Sequence, residues 1–149
     1  MTVNISRSTV LLLLALLLAA PCFAHHMAVV VSKQNPAAEM TSEQVRKIFR
    51  AETKEWPDGT SIKLVLHRES EDQLITLHRL NGISRQEWQT WFNEHKDSVK
   101  VVDSDQDVLS YVESTPGAVG LVRVRSVTGR VKVVRVNGKM PMERGYLSH

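Results

Sequence analysis

Apolar positions along this chain recur with two periods. "MAVVVS" (27–32) is a short continuous apolar run ending at Lys33 and the turn-forming "QNP", which predicts a buried strand. "TSEQVRKIF" predicts a helix with a complete start: Thr41 as N-cap, Gln44 closing the capping box, and Met40 and Val45 placed as a hydrophobic staple. Val45, Ile48 and Phe49 form its inward stripe. After the turn "WPDG" (56–59), Ile62–Leu66 predicts a second strand, and "LITLHRL" an amphipathic helix that stops at Asn81-Gly82, a left-handed C-terminal signal. Ser84 opens another helix, with Glu87 in its box, Ile83 and Trp88 as staple, and Trp88, Trp91 and Phe92 as a core-facing aromatic stripe.

"VKVV" (99–102) predicts a short strand, and Asp103, Ser104 or Asp105 can cap a fourth helix reaching about Glu113. "STPGAVGLVRVR" (114–125) turns at Pro116-Gly117 and continues as a strand. "GRVKVVRV" (129–136) reads as its antiparallel partner, with a phase slip between Val133 and Val134 that suggests a bulge. Arg123, Arg125, Lys132 and Arg135 are read as a solvated outer face. The tail 139–149 lacks periodicity and reads as loosely held. Strands alternating with capped helices predict an α/β domain with a mixed sheet.

Residues 1–24 stand apart from this pattern. One cation (Arg7), an apolar core from Val10 to Ala20 and the small residue Ala24 make the order of a cleaved secretory signal peptide. The apolar core is short of the roughly 20 residues a membrane span needs, so no stable membrane insertion is expected after cleavage. Cys22 is the only cysteine, and Pro21 before it suits lipoprotein processing poorly. Cleavage after Ala24 leaves residues 25–149 as one domain without a thiol, held by its core alone. The expected location is the periplasm or another exported compartment. The 19 Lys+Arg and 16 Asp+Glu of the whole chain give a net charge of +3. Both signs are interspersed, which does not call for a nucleic-acid partner.

One stretch carries candidate chemistry. In "HRESEDQL" (67–74) a strand ends, a very short loop follows and a helix begins, with Arg68 arriving from the strand and Ser70 at the helix start. Such a junction suits a small anion, because backbone N–H groups and the helix dipole converge there. Glu71 and Asp72 occupy the first helical turn and oppose an anion; at about 4 Å a like charge costs up to ~4 kcal/mol at an effective dielectric near 20. Ser70 and Gln73 also fit a capping box, so a plain N-cap is the competing reading of Ser70.

Several segments together resemble phosphate-type periplasmic solute-binding proteins: "AVVVSKQNP" (28–36), "TSEQVRKIFRAETKEWPDGTSIKLVLHRE" (41–69), "NGISRQEW" (81–88) and "VESTPGAVGLV" (112–122). The similarity spans roughly residues 27–124 and is greatest to short, single-lobe phosphate transporter substrate-binding-like proteins. The resemblance implies one lobe of a type II periplasmic binding protein, with possible phosphate or another small oxyanion as ligand and an ABC permease or other envelope protein as possible partner. The family's ligand loop reads approximately Arg-Glu/Asp-x-Gly-Ser-Gly-Thr. Carried over, Arg68 matches the Arg, Glu69 the neighbouring acid and Ser70 the Ser, while Glu71-Asp72 stand where the Gly-Thr pair would be. Two residues are missing between Glu69 and Ser70, and the lost Gly removes a close backbone approach. The loop therefore reads as the relict of an oxyanion site, with Arg68, Ser70, Glu71 and Asp72 as its residues. A degenerate lobe retained as an interaction or accessory module is the alternative.

No catalytic set is read. Ser, His and acids adjacent in "HRESED" cannot form a triad's geometry. His25 at a processed N-terminus would chelate copper only with a converging second His, and His26, His67, His78, His95 and His149 lack metal-ligand spacing. Neither a metal nor a cofactor is expected, and the reading is a binding protein rather than an enzyme.

Overall fold

The computed structural model describes residues 26–147, so the expected leader 1–24 lies outside the described residues. Seven strands and four helices follow in the order β1 (Met27–Ser32), β2 (Glu39–Met40), α1 (Ser42–Phe49), β3 (Lys63–His67), α2 (Glu71–Asn81), α3 (Arg85–His95), β4 (Lys100–Val102), α4 (Asp105–Ser114), β5 (Ala118–Arg123), β6 (Val131–Val133) and β7 (Arg135–Val136). The main sheet has the strand order β4-β3-β5-β1-β6. β3 runs parallel to β4 and β5, whereas β1 runs antiparallel to β5 and β6. The architecture is thus a mixed sheet flanked by helices, as expected.

The two faces of the sheet explain the continuous apolar runs. Val29 and Val31 of β1, Leu64 and Leu66 of β3, and Val119 and Leu121 of β5 enter one core with Val45, Ile48 and Phe49 of α1, Leu77 of α2 and Trp88 of α3. Ala28, Val30, Val65 and Val122 enter a second core with Val108, Leu109 and Val112 of α4. A strand covered on both faces has no solvated side to mark with polar residues. Gly120 lets α4 lie close on the sheet: a Cβ there would stand 2.7 Å from Val108 Cγ1 and 3.0 Å from Val65 Cγ1.

Helix starts follow the local chemistry. Thr41 and Ser84 each accept from the backbone N–H three residues on, and Gln44 and Glu87 return the bond, completing both boxes. Gly82 ends α2 at φ 66°. Ser104, of the three candidates, caps α4.

Three expectations fail. β5 and β6 do not pair with each other; β1 lies between them and bonds to both. All six residues of β1 are buried, whereas β6 is a three-residue strand with two half-buried positions, so the fully buried run takes the interior and the short one the edge. The phase slip at Val133–Val134 is a change of sheet rather than a bulge: β7 leaves to pair with β2. Arg125 sits in a 3₁₀ turn over Val124–Ser126, so the four basic residues do not share one strand face.

The described part of the tail, 139–147, is also tied down through Tyr146, contrary to expectation. Tyr146 is 3% exposed, donates its hydroxyl to the Val134 carbonyl at 2.7 Å and accepts from the Val29 N–H at 3.1 Å. Burial raises the phenol well above its ordinary pKa, so it remains a donor. The ring bridges two backbone groups just where β6 ends. Tyr146→Phe is expected to destabilise the domain by about 1–3 kcal/mol, because a buried N–H and C=O lose their partner. Urea unfolding checks this, and an unchanged midpoint would refute it.

Candidate functional site

The carboxyl ends of β3, β4 and β5 point the same way, at His67, Val102 and Arg123, and α2 and α4 start beside them at Ser70 and Ser104. Open α/β sheets hold ligands at such an edge, where strand ends and helix N-termini converge. The Arg68 N–H donates to the Val102 carbonyl at 2.8 Å and joins the two strand ends.

The turn is built more tightly than a capping box requires. Ser70 is 6% exposed, and its Oγ accepts from the Gln73 N–H at 3.2 Å. Gln73 does not return the bond to Ser70. Its buried amide turns to His67 instead, with Oε1 accepting from His67 N–H and Nε2 donating to His67 C=O, both at 3.1 Å. The Ser70 N–H also donates to the His67 carbonyl, at 3.4 Å. Gln73 thereby clamps the last strand residue to the first helical turn, and the shortened loop cannot open without unpairing it.

Each charged residue singled out in the sequence meets a counter-charge brought from elsewhere. Arg68, with a side chain 59% exposed, donates Nε to Asp103 Oδ1 at 2.9 Å rather than to neighbouring Glu69. Glu71 accepts from Arg85 at 2.7 Å. Asp72 has a largely covered side chain, 3.9 Å from Arg123. Exposed pairs such as the first two are worth about 0–1 kcal/mol, so they weaken an anion's hold without forbidding it. Arg68, Glu69, Glu71 and Arg85 line an open groove of about 590 Å³ floored by Leu66, Trp88 and Phe92. Two cations and two carboxylates balance in that groove, which lowers its attraction for a small anion. Ser70 serves as a buried cap, and Asp72 turns towards Arg123; the groove holds Arg68 and Glu71.

The aromatic stripe is only partly core. Trp88 is buried and stacks on Trp91 at 4.7 Å, which stacks in turn on His95 at 4.4 Å. Trp91 and Phe92 are half-buried, and Trp91 Nε1 donates to the Arg50 carbonyl at 3.2 Å.

A second constellation at the same edge was not foreseen. The Asp105 carboxylate is 7% exposed. Its Oδ1 meets His67 Nδ1 at 3.0 Å. Its Oδ2 accepts from Ser126 Oγ at 2.7 Å, Arg123 Nε at 3.1 Å and the Arg123 N–H at 3.3 Å. Burial pushes this carboxyl upward, but the bonds from Ser126, Arg123 and His67 outweigh it and hold the group below its ordinary range. The one signal available in the sequence was Asp105 as a possible cap. Its partners lie 18 to 38 positions away, where no local pattern reaches. Among the described residues no cluster of three or more His, Cys, Asp or Glu could hold a metal ion.

Comparison with known proteins adds to this geometry. The family described as PBP superfamily domain matches residues 18–142. Sequence comparison with curated proteins finds no significant match. Among solved structures, an ABC-type phosphate transport receptor from Vibrio cholerae is similar at 22% identity and TM-score 0.65, over 80% of this chain and 49% of its own. A putative phosphate ABC transporter substrate-binding protein with bound phosphate, from Clostridium perfringens, is similar at 18% identity and TM-score 0.67, over 80% of this chain and 48% of its own. PstS from Borrelia burgdorferi is similar at 18% identity and TM-score 0.63, over 78% and 49%. At these identities the likeness is one of fold, and the chain spans about half the length of each.

Proposed function

The chain belongs to the PBP superfamily domain family, and from that premise we propose that it is an exported, single-lobe solute-binding-like protein with at most weak affinity for phosphate or a similar small oxyanion. One observation carries the reading: Arg68 stands at the carboxyl end of β3, beside the α2 N-terminus and in an open groove, yet its charge and that of Arg85 are already matched by Asp103 and Glu71. Binding rather than catalysis is supported by the family and by the phosphate receptors of similar fold. Tight binders bury most of a small ligand's surface, whereas this groove is open.

Export is supported by the order of Arg7, apolar core and Ala24. Among the described residues no helix is long and apolar enough to cross a membrane. The intact mass of the exported protein tests cleavage, and a mass that retains residues 1–24 refutes it.

Calorimetry with phosphate tests the site. The wild type is expected to bind with Kd of about 1 mM or weaker, equivalent to about 4 kcal/mol. Glu71→Gly with Asp72→Thr removes two carboxylates and releases Arg85, and affinity should rise at least about tenfold, or ~1.4 kcal/mol. Adding Arg68→Ala should abolish the gain. Micromolar binding by the wild type would overturn the relict reading. A double variant that gains nothing would clear the two carboxylates and favour the second reading, a lobe kept as an accessory module for an envelope partner. That reading draws its support from the saturation of both groove cations by internal partners.

A further inference from the structure

We propose that Asp105 is the resident occupant of an anion pocket built by His67, Arg123 and Ser126 at the carboxyl ends of β3 and β5, and that the pocket takes a small free carboxylate when Asp105 is removed. The proposal stands whether or not Arg68 binds phosphate, since the two sets share no donor.

Four donors converge on one carboxylate, from β3 (His67 Nδ1), from β5 (Arg123 N–H and Nε) and from the following turn (Ser126 Oγ). An ionised carboxylate accepts only, through two oxygens; three of these donors meet Oδ2 and one meets Oδ1, so both oxygens are engaged. A buried anion needs such pairing, because water no longer solvates it. The bland explanation, a helix cap, is already taken. Ser104 caps α4 by accepting from the Asp107 N–H at 3.1 Å, and Asp105 sits one residue further on, with its carboxylate on the strand ends. The position is also the edge where this class of sheet holds ligands.

Tethering gives the Asp105 carboxylate an effective concentration far above that of a free anion. A dissolved oxyanion reaches these donors only by displacing it, so the wild-type chain keeps this pocket closed to small anions. Arg123 also faces Asp72 at 3.9 Å. That second carboxylate gives the guanidinium a counter-charge when Asp105 is absent, which favours a preserved pocket over a collapsed one.

Asp105→Gly removes the side chain whose free equivalent is acetate, so acetate is the probe. The thermal midpoint of the variant should rise saturably with sodium acetate relative to equal sodium chloride, with Kd of about 1–10 mM. If the variant is unfolded without acetate, recovery of its circular dichroism with acetate over the same range is the expected result. The wild type should show no acetate-specific shift, nor should Asp105→Asn, whose amide still fills the pocket. Adding Arg123→Met to Asp105→Gly should remove the response. The proposal fails if acetate at about 0.1 M, at least tenfold above that Kd, does no more than chloride for Asp105→Gly, folded or not. It fails equally if acetate acts alike on all four proteins. The phosphate calorimetry on Arg68 can fail without touching either outcome.

Discussion

Phe49→Ala should lower the unfolding free energy by about 3–5 kcal/mol, the range for losing a buried aromatic ring and leaving a cavity. Phe49 is fully buried at the last position of α1. Its helix is held at the other end by the complete Thr41–Gln44 box, so the helix cannot easily slide to fill the void. The facing side chains belong to a core that includes Val29, Leu66 and Leu121, central residues of a sheet fixed by pairing on both sides. Such neighbours relax little, which places the cost towards the upper part of the range. Ile75→Ala on the exposed side of α2, where the residue is 40% exposed, should change stability by no more than about 0.5 kcal/mol. Urea unfolding of both variants decides it. A loss below about 1.5 kcal/mol for Phe49→Ala would mean that the α1 face is loosely packed and its burial unimportant.

The helix starts show what was legible in the chain itself. Thr41 with Gln44 and Ser84 with Glu87 act over three residues, so the reading of the sequence and the bonds in the structure agree. At Ser70 the same pattern misleads: Gln73 finds a better partner in the His67 backbone, which the short loop brings within reach. β1 was recognisable as a buried strand from its own composition, but its place between β5 and β6 depends on residues some 90 positions away. Sequence adjacency pointed instead to a β5–β6 hairpin. The candidate turn behaves likewise. Arg68, Ser70, Glu71 and Asp72 stand at a strand–turn–helix junction, as their order implies. Their counter-charges Asp103, Arg85 and Arg123 come from three other segments. Those partners, rather than the turn's own residues, set how much charge remains for a ligand.

Asp105→Ala should cost about 3–5 kcal/mol at pH 7, the penalty for leaving a buried ion pair without one partner. The variant strips Arg123 and His67 of their shared acceptor and leaves Ser126 Oγ without its bond. Arg123 keeps Asp72 at 3.9 Å and its side chain is 30% exposed, so the loss should fall towards the lower end. The effect carries a pH signature that simple loss of packing lacks. The folded-state pKa of Asp105 lies below its ordinary value. The stabilisation is therefore fully present above the unfolded pKa of about 3.9, and it is lost as pH falls from there through the folded value, where the native carboxylate also takes up a proton. Asp105→Asn has no carboxylate to titrate at this position. The stability gap between wild type and Asp105→Asn should narrow progressively below about pH 4. Urea unfolding of the two proteins between neutral and strongly acid pH measures the gap directly. A gap that stays constant through that acid range would mean that Asp105 contributes shape and hydrogen bonds but no charge, and that the Arg123 guanidinium does not act on it.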